Sequence, residues 1–195
     1  MTIKLIVNKI FNSITYLLHE EESDELTIID CGDAIDIIKY IEHNNLRLKN
    51  ILITHTHYDH IYGLNEVVSR FPNTNVYTNS AGKLSLYNDK WNMSRYNIFD
   101  TPFIYKFQNV ITKEEGDFID FGKEKIHILS TPGHDWSCLS FKLGNYIFTG
   151  DSYIPNIKPT LTFPKSDKKE GMIQYKRLLE LDKQGYTILA GHKIS

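Results

Sequence analysis

The sequence predicts an α+β fold, a four-layer αββα sandwich in which two β-sheets pack face to face and helices cover their outer faces. Strand-like segments rich in Ile, Val, Leu and Thr form two separate runs, one opening the chain and one returning near residue 110. Segments with apolar residues at helical spacing accompany each run. With 195 residues, 41% of them hydrophobic, the chain suits one compact domain that spans residues 1–195.

The first run contains three predicted strands, at about residues 3–10, 13–19 and 26–30. A helix is predicted after Gly32, with Asp33 as its N-cap, because apolar residues then recur with helical spacing at Ala34, Ile37, Ile38 and Ile41.

A buried strand is predicted from Asn50 onward, and it becomes polar toward His57. The helix after it has apolar residues at helical spacing over 64–71 and stops at Pro72. The segment 81–106 is predicted to form a short helix and a long loop. Its many aromatic residues either fill the edge of the core or form a lid or binding wall.

The second run contains four predicted strands, at about residues 117–121, 125–130, 137–143 and 146–150. A helix over about 171–183 follows, because one face carries Met172, Tyr175, Leu178 and Leu179. The last predicted strand covers 186–190.

The composition excludes several classes of partner. A net charge of −2 provides no global positive field, so nucleic acid is not an expected partner. Cys31 and Cys138 lack CxxC spacing, which favours a reduced, cytoplasmic setting. Lys4 and Lys9 interrupt the apolar N-terminus, so we expect neither an export signal nor a membrane anchor. The expected partner is a small-molecule substrate, and the oligomeric state is left open.

The strongest functional signal is the run THTHYDH at residues 54–60, which places four possible metal ligands within six residues: His55, His57, Asp59 and His60. In an extended segment His55 and His57 point to the same side, so both imidazoles can reach one ion. Asp59 and His60 follow where the strand gives way to a turn, so they project differently and can serve a second ion. The alternative is a solvated turn rich in histidine.

Three further candidate ligands follow strands of the second run. His134 lies in the turn sequence TPGHD, and His192 follows the last strand. Asp151 also follows a strand, and its two carboxylate oxygens can bridge two cations. The other histidines are interpreted as structural or surface residues: His19, His43 and His127.

Five segments in this order resemble the metallo-β-lactamase superfamily, and especially its glyoxalase II-like hydrolases. They are DCG at 30–32, HTHYDH at 55–60, TPGHD at 131–135, TGDS at 149–152 and AGHK at 190–193. The likeness covers nearly the whole chain, and HxHxDH is its most specific element. It implies a metallo-β-lactamase-like sandwich with two mixed β-sheets.

The resemblance also implies a metal centre with two divalent ions, zinc first, with iron or manganese as alternatives. The first ion would be held by His55, His57 and His134, and the second by Asp59, His60 and His192. Asp151 would bridge the two ions, and Asp30 would support the site without binding metal.

The chain departs from the family's commoner forms at two positions. His60 stands where the best-known true β-lactamases carry arginine, and Asp135 where threonine is frequent, so antibiotic hydrolysis is not the expected activity. Glyoxalase II also has a helical C-terminal domain that helps to bind its glutathione thioester. The sequence stops three residues after His192, so we expect that domain to be absent and do not carry over its substrate.

The reaction expected from two such ions is hydrolysis by a metal-bridged hydroxide, because the ions lower the pKa of a shared water to near neutrality. The bond is an ester, thioester, lactone or phosphodiester. Asp59 is the candidate catalytic residue that orients the hydroxide. Tyr58 and Tyr153 are possible acids for the leaving group.

Two other functions stay open at this point. One is a mononuclear iron dioxygenase acting on a persulfide, with His55, His134 and Asp151 as iron ligands. The other is a non-catalytic metal-binding protein. Seven candidate ligands argue against the latter, since a structural site needs a closed set of only four.

Overall fold

Two mixed β-sheets form the centre of the molecule in the computed structural model, which describes residues 1–96 and 101–193. The first sheet has six strands in chain order: β1 (Thr2–Val7), β2 (Ile14–His19), β3 (Glu25–Ile29), β4 (Arg47–Leu52), β5 (Asn75–Thr78) and β6 (Val110–Thr112). Its pairings are antiparallel from β1 to β3 and parallel from β3 to β6.

The second sheet has five strands, β7 (Phe118–Phe121), β8 (Glu124–Ser130), β9 (Leu139–Leu143), β10 (Tyr146–Gly150) and β11 (Thr187–Ala190). Their order across the sheet is β11-β10-β9-β8-β7, and only the β10–β11 pairing of these strands is parallel. Both sheets therefore mix parallel and antiparallel pairs, as the family resemblance implies.

The sheets pack face to face because both carry apolar side chains on their inner faces. On β2, Tyr16 and Leu18 belong to the cluster between the sheets, together with Phe141 and Phe148 from the second sheet. Leu17, between them in sequence, points to the opposite face and belongs to a different buried cluster. Alternation with period two thus lets one strand bury both of its faces.

Four helices are present among the described residues: α1 (Ala34–His43), α2 (Leu64–Arg70), α3 (Ser80–Leu86) and α4 (Lys168–Lys183). Helices α1 and α2 cover the outer face of the first sheet, where Ile37 and Val67 pack in the cluster that contains Leu17. Helix α4 covers the second sheet, where Leu178 packs against Ile147. The predicted αββα sandwich is therefore confirmed.

The strand predicted from Asn50 through His57 is shorter than expected at its carboxyl end. Strand β4 ends at Leu52, and the chain has left the sheet before it reaches His55. The amide of Ile53 still bonds to the carbonyl of Tyr77 at 2.9 Å, but Thr54 turns toward Asp30. The histidines consequently lie on a loop and not on a strand.

Two helix predictions were wrong in detail. Asp33 occupies the N-cap position of α1 without capping it, because its carboxylate accepts the Lys9 amide and the Tyr62 hydroxyl instead. Helix α4 begins at Lys168, where the Asp167 side chain caps the Glu170 amide at 2.9 Å. Met172 is 39% exposed and does not join the buried face.

Strand β5 was not predicted, because its four residues are too few to show a period and it is recognisable only through its pairing with β4 and β6. The segment 81–106 contains most of α3 and a 3-10 turn at Ser94–Tyr96, which agrees with a short helix and a long loop. Residues 97–100 of that segment lie outside the described residues.

No helix within residues 1–96 and 101–193 has the length and apolar character needed to cross a bilayer. Cys31 and Cys138 are buried free thiols, and burial raises the pKa of both. At neutral pH they are therefore protonated packing groups.

Candidate metal centre

The loop after β4 carries four of the predicted ligands. Asp30, at the end of β3, holds its start, because its Oδ1 accepts the Thr54 amide at 2.8 Å and its Oδ2 accepts the Thr54 hydroxyl at 2.7 Å. The loop then closes into a 3-10 turn at Tyr58–His60. The rings of His55 and His57 lie 4.7 Å apart between centroids, so the two side chains converge as their spacing predicts.

The other three predicted ligands follow strands of the second sheet. His134 comes after β8, Asp151 after β10 and His192 after β11. The two sheets are joined beside them, since the Ile14 amide of β2 donates to the Gly191 carbonyl at 2.7 Å. Position 191 requires glycine, because a Cβ there would lie 2.4 Å from Oδ1 of Asp151.

All seven predicted ligands converge where these segments meet. Two sets of three have ligand atoms that all lie within 4.8 Å of one another: His55, His57 and His134 in one set, and Asp59, His60 and His192 in the other. A third set, formed by His55, His60 and Asp151, links them. Asp151 contacts both sets, with its Oδ2 3.5 Å from Nε2 of His134 and 3.2 Å from Nε2 of His192. The structure therefore brings together every residue of the predicted site.

Two of the histidines are oriented by Asp30. The Nδ1 of His60 donates directly to Oδ2 of Asp30 at 2.8 Å. The Nδ1 of His55 lies 3.2 Å from the Thr54 hydroxyl, whose own proton goes to Asp30. Both rings therefore carry a proton on the outer nitrogen, Nδ1, so Nε2 is the atom that each ring directs into the cluster, where it could bind a metal ion. This is the supporting role that the resemblance implies for Asp30.

Two more histidines are oriented by main-chain carbonyls. The Nδ1 of His134 lies 2.9 Å from the Thr160 oxygen, and the Nδ1 of His192 lies 3.0 Å from the Phe11 oxygen. A carbonyl oxygen can only accept, so Nδ1 is the protonated nitrogen of each ring. Their Nε2 atoms face the cluster, as those of His55 and His60 do.

His57 has the opposite orientation. Its Nδ1 is the inner atom, 3.0 Å from Nε2 of His134, and its Nε2 faces Oδ2 of Asp135 at 3.6 Å. Asp135 is only 1% exposed, and its other oxygen accepts the Ser137 amide at 2.8 Å. Burial would raise the pKa of Asp135, but His57 lowers it below the usual value. The sequence signal for this carboxylate is the departure from threonine after His134, which by itself indicates no role.

Asp135→Asn should weaken metal binding by roughly 10- to 100-fold, because the buried negative charge that faces Nε2 of His57 at 3.6 Å becomes a neutral amide. The measurement is competition with a metal chelator, with thermal unfolding recorded in parallel. The exposed Asp120 on β7 offers a matched control, and Asp120→Asn should keep wild-type metal affinity. A variant at Asp135 that melts lower but binds metal normally would limit this residue to its turn with Ser137.

The donor atoms at the centre fit a metal ion. His55 Nε2 and Asp151 Oδ1 are buried and have no hydrogen-bond partner, which is unusual for buried polar atoms. A cation beside them would satisfy both. Imidazole nitrogens with a few carboxylate oxygens are ligands that zinc, iron and manganese accept.

The charges of the centre also favour a cation. Burial would lower the pKa of His60, but Asp59, Asp30 and Asp151 raise it well above its usual value. Burial would raise the pKa of Asp151, but the surrounding histidines hold it well below its usual range. Asp151 is therefore ionised at neutral pH. The pKa of His134 falls to about 4, mainly through burial, so its ring is neutral and available as a ligand.

A pocket of about 390 Å³ opens onto the centre. His57, Asp59, His134, Asp151 and His192 line it, and its other lining residues are Phe11, Tyr58, Met93, Tyr96, Thr160 and Phe163. For the aromatic segment this supports the binding wall, since Tyr96, which the core-filling interpretation placed at the edge of the core, is 59% exposed. Tyr96 and Met93 form part of the wall, whereas Trp91 packs edge to face against Trp136 with centroids 5.3 Å apart.

The structure distinguishes between the two tyrosines that are candidate acids, and it leaves three histidines outside the site. The hydroxyl of Tyr153 donates to Asp182 of α4 at 2.6 Å, and Tyr153 is not among the residues that line the pocket, so it is not the acid for the leaving group. Tyr58 does line the pocket. His19, His43 and His127 belong to none of the ligand sets found among the described residues.

Comparison with known proteins agrees with the geometry. Residues 11–192 match the family described as Metallo-beta-lactamase superfamily. Among curated relatives, a hydroxyacylglutathione hydrolase from Buchnera aphidicola subsp. Schizaphis graminum is 38% identical over 125 residues, which is 64% of this chain and 41% of the relative. The chain thus spans less than half the length of this relative.

Solved structures share the fold. The BLEG-1 B3 metallo-beta-lactamase superimposes with a TM-score of 0.86 at 22% identity, over 99% of this chain and 92% of its own. TTHA1623, solved in a di-iron-bound form, superimposes with a TM-score of 0.82 at 25% identity, over 98% of this chain and 92% of its own.

Proposed function

Because the chain belongs to the metallo-β-lactamase superfamily, we propose that it is a metal-dependent hydrolase with a binuclear centre at the floor of its pocket. One observation carries the proposal most directly. Four histidines are each oriented by a hydrogen bond of their outer nitrogen, and the outer nitrogen of the fifth, His57, faces the buried Asp135 carboxylate at 3.6 Å, so that the inner nitrogens converge on one cluster. A solvated turn rich in histidine would leave these rings without such partners, and a closed structural site would not lie open to a pocket.

The proposed ligands are three histidines for one ion, His55, His57 and His134, and Asp59, His60 and His192 for the other. Asp151 is the proposed bridge, because its Oδ2 contacts a histidine of each set. When bound, two divalent ions would supply Lewis acidity, which lowers the pKa of a water and polarises a carbonyl. Zinc is the expected metal, and the same donors also accept iron.

The chain's own residues would orient the water and the leaving group. Asp59 lines the pocket, and burial would raise its pKa, but His60 and His192 lower it below the usual value. It is therefore ionised at neutral pH and can accept a hydrogen bond from the attacking water. Tyr58 is adjacent in sequence and lines the same pocket, so its hydroxyl is the proposed donor to the leaving group.

A thioester is the first substrate class to test, because curated relatives such as the Buchnera aphidicola protein are named hydroxyacylglutathione hydrolases. Esters, lactones and phosphodiesters are the other bonds that the same chemistry cleaves. Since the chain spans only 41% of that relative's length, we do not assign the relative's own substrate to this chain.

Purified protein should contain close to two metal ions per chain, because the centre supplies three ligands for each ion and one shared carboxylate. The check is elemental analysis after anaerobic purification, followed by assays of the four bond types with the metal-loaded protein. A single iron per chain with no hydrolysis would favour the persulfide dioxygenase instead. Two bound ions without any hydrolysis would favour a non-catalytic metal-binding protein.

A further inference from the structure

The pocket above the ligand cluster has walls that hydrolysis by itself does not require. Five of its lining residues carry large apolar or aromatic side chains: Phe11, Tyr58, Met93, Tyr96 and Phe163. No lysine or arginine is present among the described residues that line it. The carboxylates and imidazoles that line it are all predicted ligands.

Phe11 occupies a backbone conformation that its residue type rarely adopts. The Ser13 amide donates to the Ile10 carbonyl at 3.2 Å, and the two residues between them, Phe11 and Asn12, have φ values of 54° and 55°. Two successive positive φ values are typical of a type I′ turn, in which Asn, Asp and Gly are normal and a bulky side chain is strained. The Phe11 side chain is nevertheless 65% exposed, so burial in the core does not explain its presence.

Met93 shares this property, with a φ of 63°. Its neighbours Asn92 and Ser94 are fully buried, and both bond to the Phe103 carbonyl, which holds the segment in place. Phe11 and Met93 therefore both contribute apolar side chains to the pocket wall from a strained backbone conformation. Such strain is concentrated at sites of ligand contact, where the position of the side chain matters more than local stability.

Lys165 and Lys158 are not among the described residues that line the main pocket. The ammonium of Lys165 lies 4.0 Å from the ring centroid of Trp136 and 4.7 Å from that of Trp91, so the indoles already engage its charge. Lys158 lines a separate recess of about 40 Å³ that also touches His134 and Asp151. Apart from the proposed metal centre, a carboxylate carried by a substrate into the main pocket would meet no lysine or arginine among the described residues that line it.

We propose that the pocket selects substrates whose acyl group is an apolar chain or ring, with Phe11 as a specificity-determining contact. This inference rests on the proposed hydrolysis, which requires the scissile carbonyl to lie at the ligand cluster and the acyl group to extend along the walls. Each methylene that reaches the walls should raise kcat/KM about two- to fourfold.

The experiment measures kcat/KM of the metal-loaded protein with N-acetylcysteamine thioesters. The thiol part of these substrates is uncharged, so any charge comes from the acyl group. The acyl groups are acetyl, butyryl, hexanoyl and succinyl. We expect kcat/KM to rise from acetyl to hexanoyl and the anionic succinyl thioester to fall below butyryl. Equal values along the series, or a preference for succinyl, would overturn the proposal.

Phe11→Asn tests the contact without disturbing the turn, because asparagine suits positive φ and the Phe11 carbonyl that orients His192 is retained. The hexanoyl-to-acetyl ratio should fall by about threefold or more, while the melting temperature stays the same or rises. Phe118→Asn removes an exposed aromatic ring on β7, away from the pocket, and should keep the wild-type ratio. If Phe11→Asn lowers the melting temperature but leaves the hexanoyl-to-acetyl ratio of kcat/KM unchanged, Phe11 is a structural residue and the proposed contact is wrong.

A binding measurement separates this proposal from the proposed hydrolysis. If no thioester is cleaved, thioester hydrolysis is not the function, and the apolar preference of the pocket is then measured by ligand-observed NMR with uncharged amides. Hexanamide should bind more tightly than succinamide, and Phe11→Asn should weaken hexanamide binding. Equal binding of the two amides would overturn the apolar preference.

Discussion

Replacement of His55 by alanine should abolish hydrolysis and remove bound metal. His55 is fully buried, its Nε2 has no protein partner, and it belongs to two of the three ligand sets of the centre. No other side chain can supply the lost nitrogen, so the loss should exceed the roughly 10- to 100-fold effect of removing a supporting partner. The measurements are kcat/KM and metal content per chain.

His43→Ala is the matched control for this change. His43 is exposed at the end of α1 and lies in none of the ligand sets, so its variant should retain both metal and activity. Normal metal content and turnover in His55→Ala would exclude His55 as a ligand. Circular dichroism of both variants separates loss of a ligand from loss of the fold.

Asp151→Asn should bind about one metal ion instead of two. The substitution keeps the size of the side chain but removes the charge that offsets two neighbouring cations, so their mutual repulsion should expel one ion. Hydrolysis should fall by a factor on the order of 10² or more, because activation of water depends on the metal pair. Elemental analysis and steady-state kinetics on the same preparation check both effects.

The comparison for this variant is Asp120→Asn, which makes the same chemical change at an exposed site on β7. It should leave metal content and turnover unchanged. Two bound ions and near-normal turnover in Asp151→Asn would reduce Asp151 to a turn residue after β10.

The fold and the ligand residues could be predicted because both leave signals in side-chain identity. The two runs of strand-like segments correspond to the two sheets, except that the segment at Val110, where the second run was expected to begin, forms the edge strand β6 of the first sheet. The motif from His55 to His60 combines residue types that bind metals at a spacing that directs them to one place. The sequence signal for His192 was weak when taken alone, since a single histidine after a strand is common. Its place in the ordered set of motifs identified it.

The parts that could not be predicted depend on the main chain or on distant contacts. Nothing in the sequence says that β4 ends at Leu52, because Asp30 draws Thr54 out of the sheet from 24 positions away. The carbonyls of Phe11 and Thr160 orient two histidines, but every residue has a carbonyl, so neither position carries a signal. The role of Asp135 becomes visible only when His57 is seen beside it.

The support that Phe11 and Thr160 give to the centre has an evolutionary consequence. Phe11 and Thr160 both line the pocket. Each nevertheless orients a histidine, His192 and His134 respectively, through its carbonyl oxygen, which every amino acid possesses. Mutation at these positions can therefore remodel what the pocket accepts while the histidines keep their orientation. Descendants of this chain can diverge in substrate at positions 11 and 160 and still inherit the same metal chemistry.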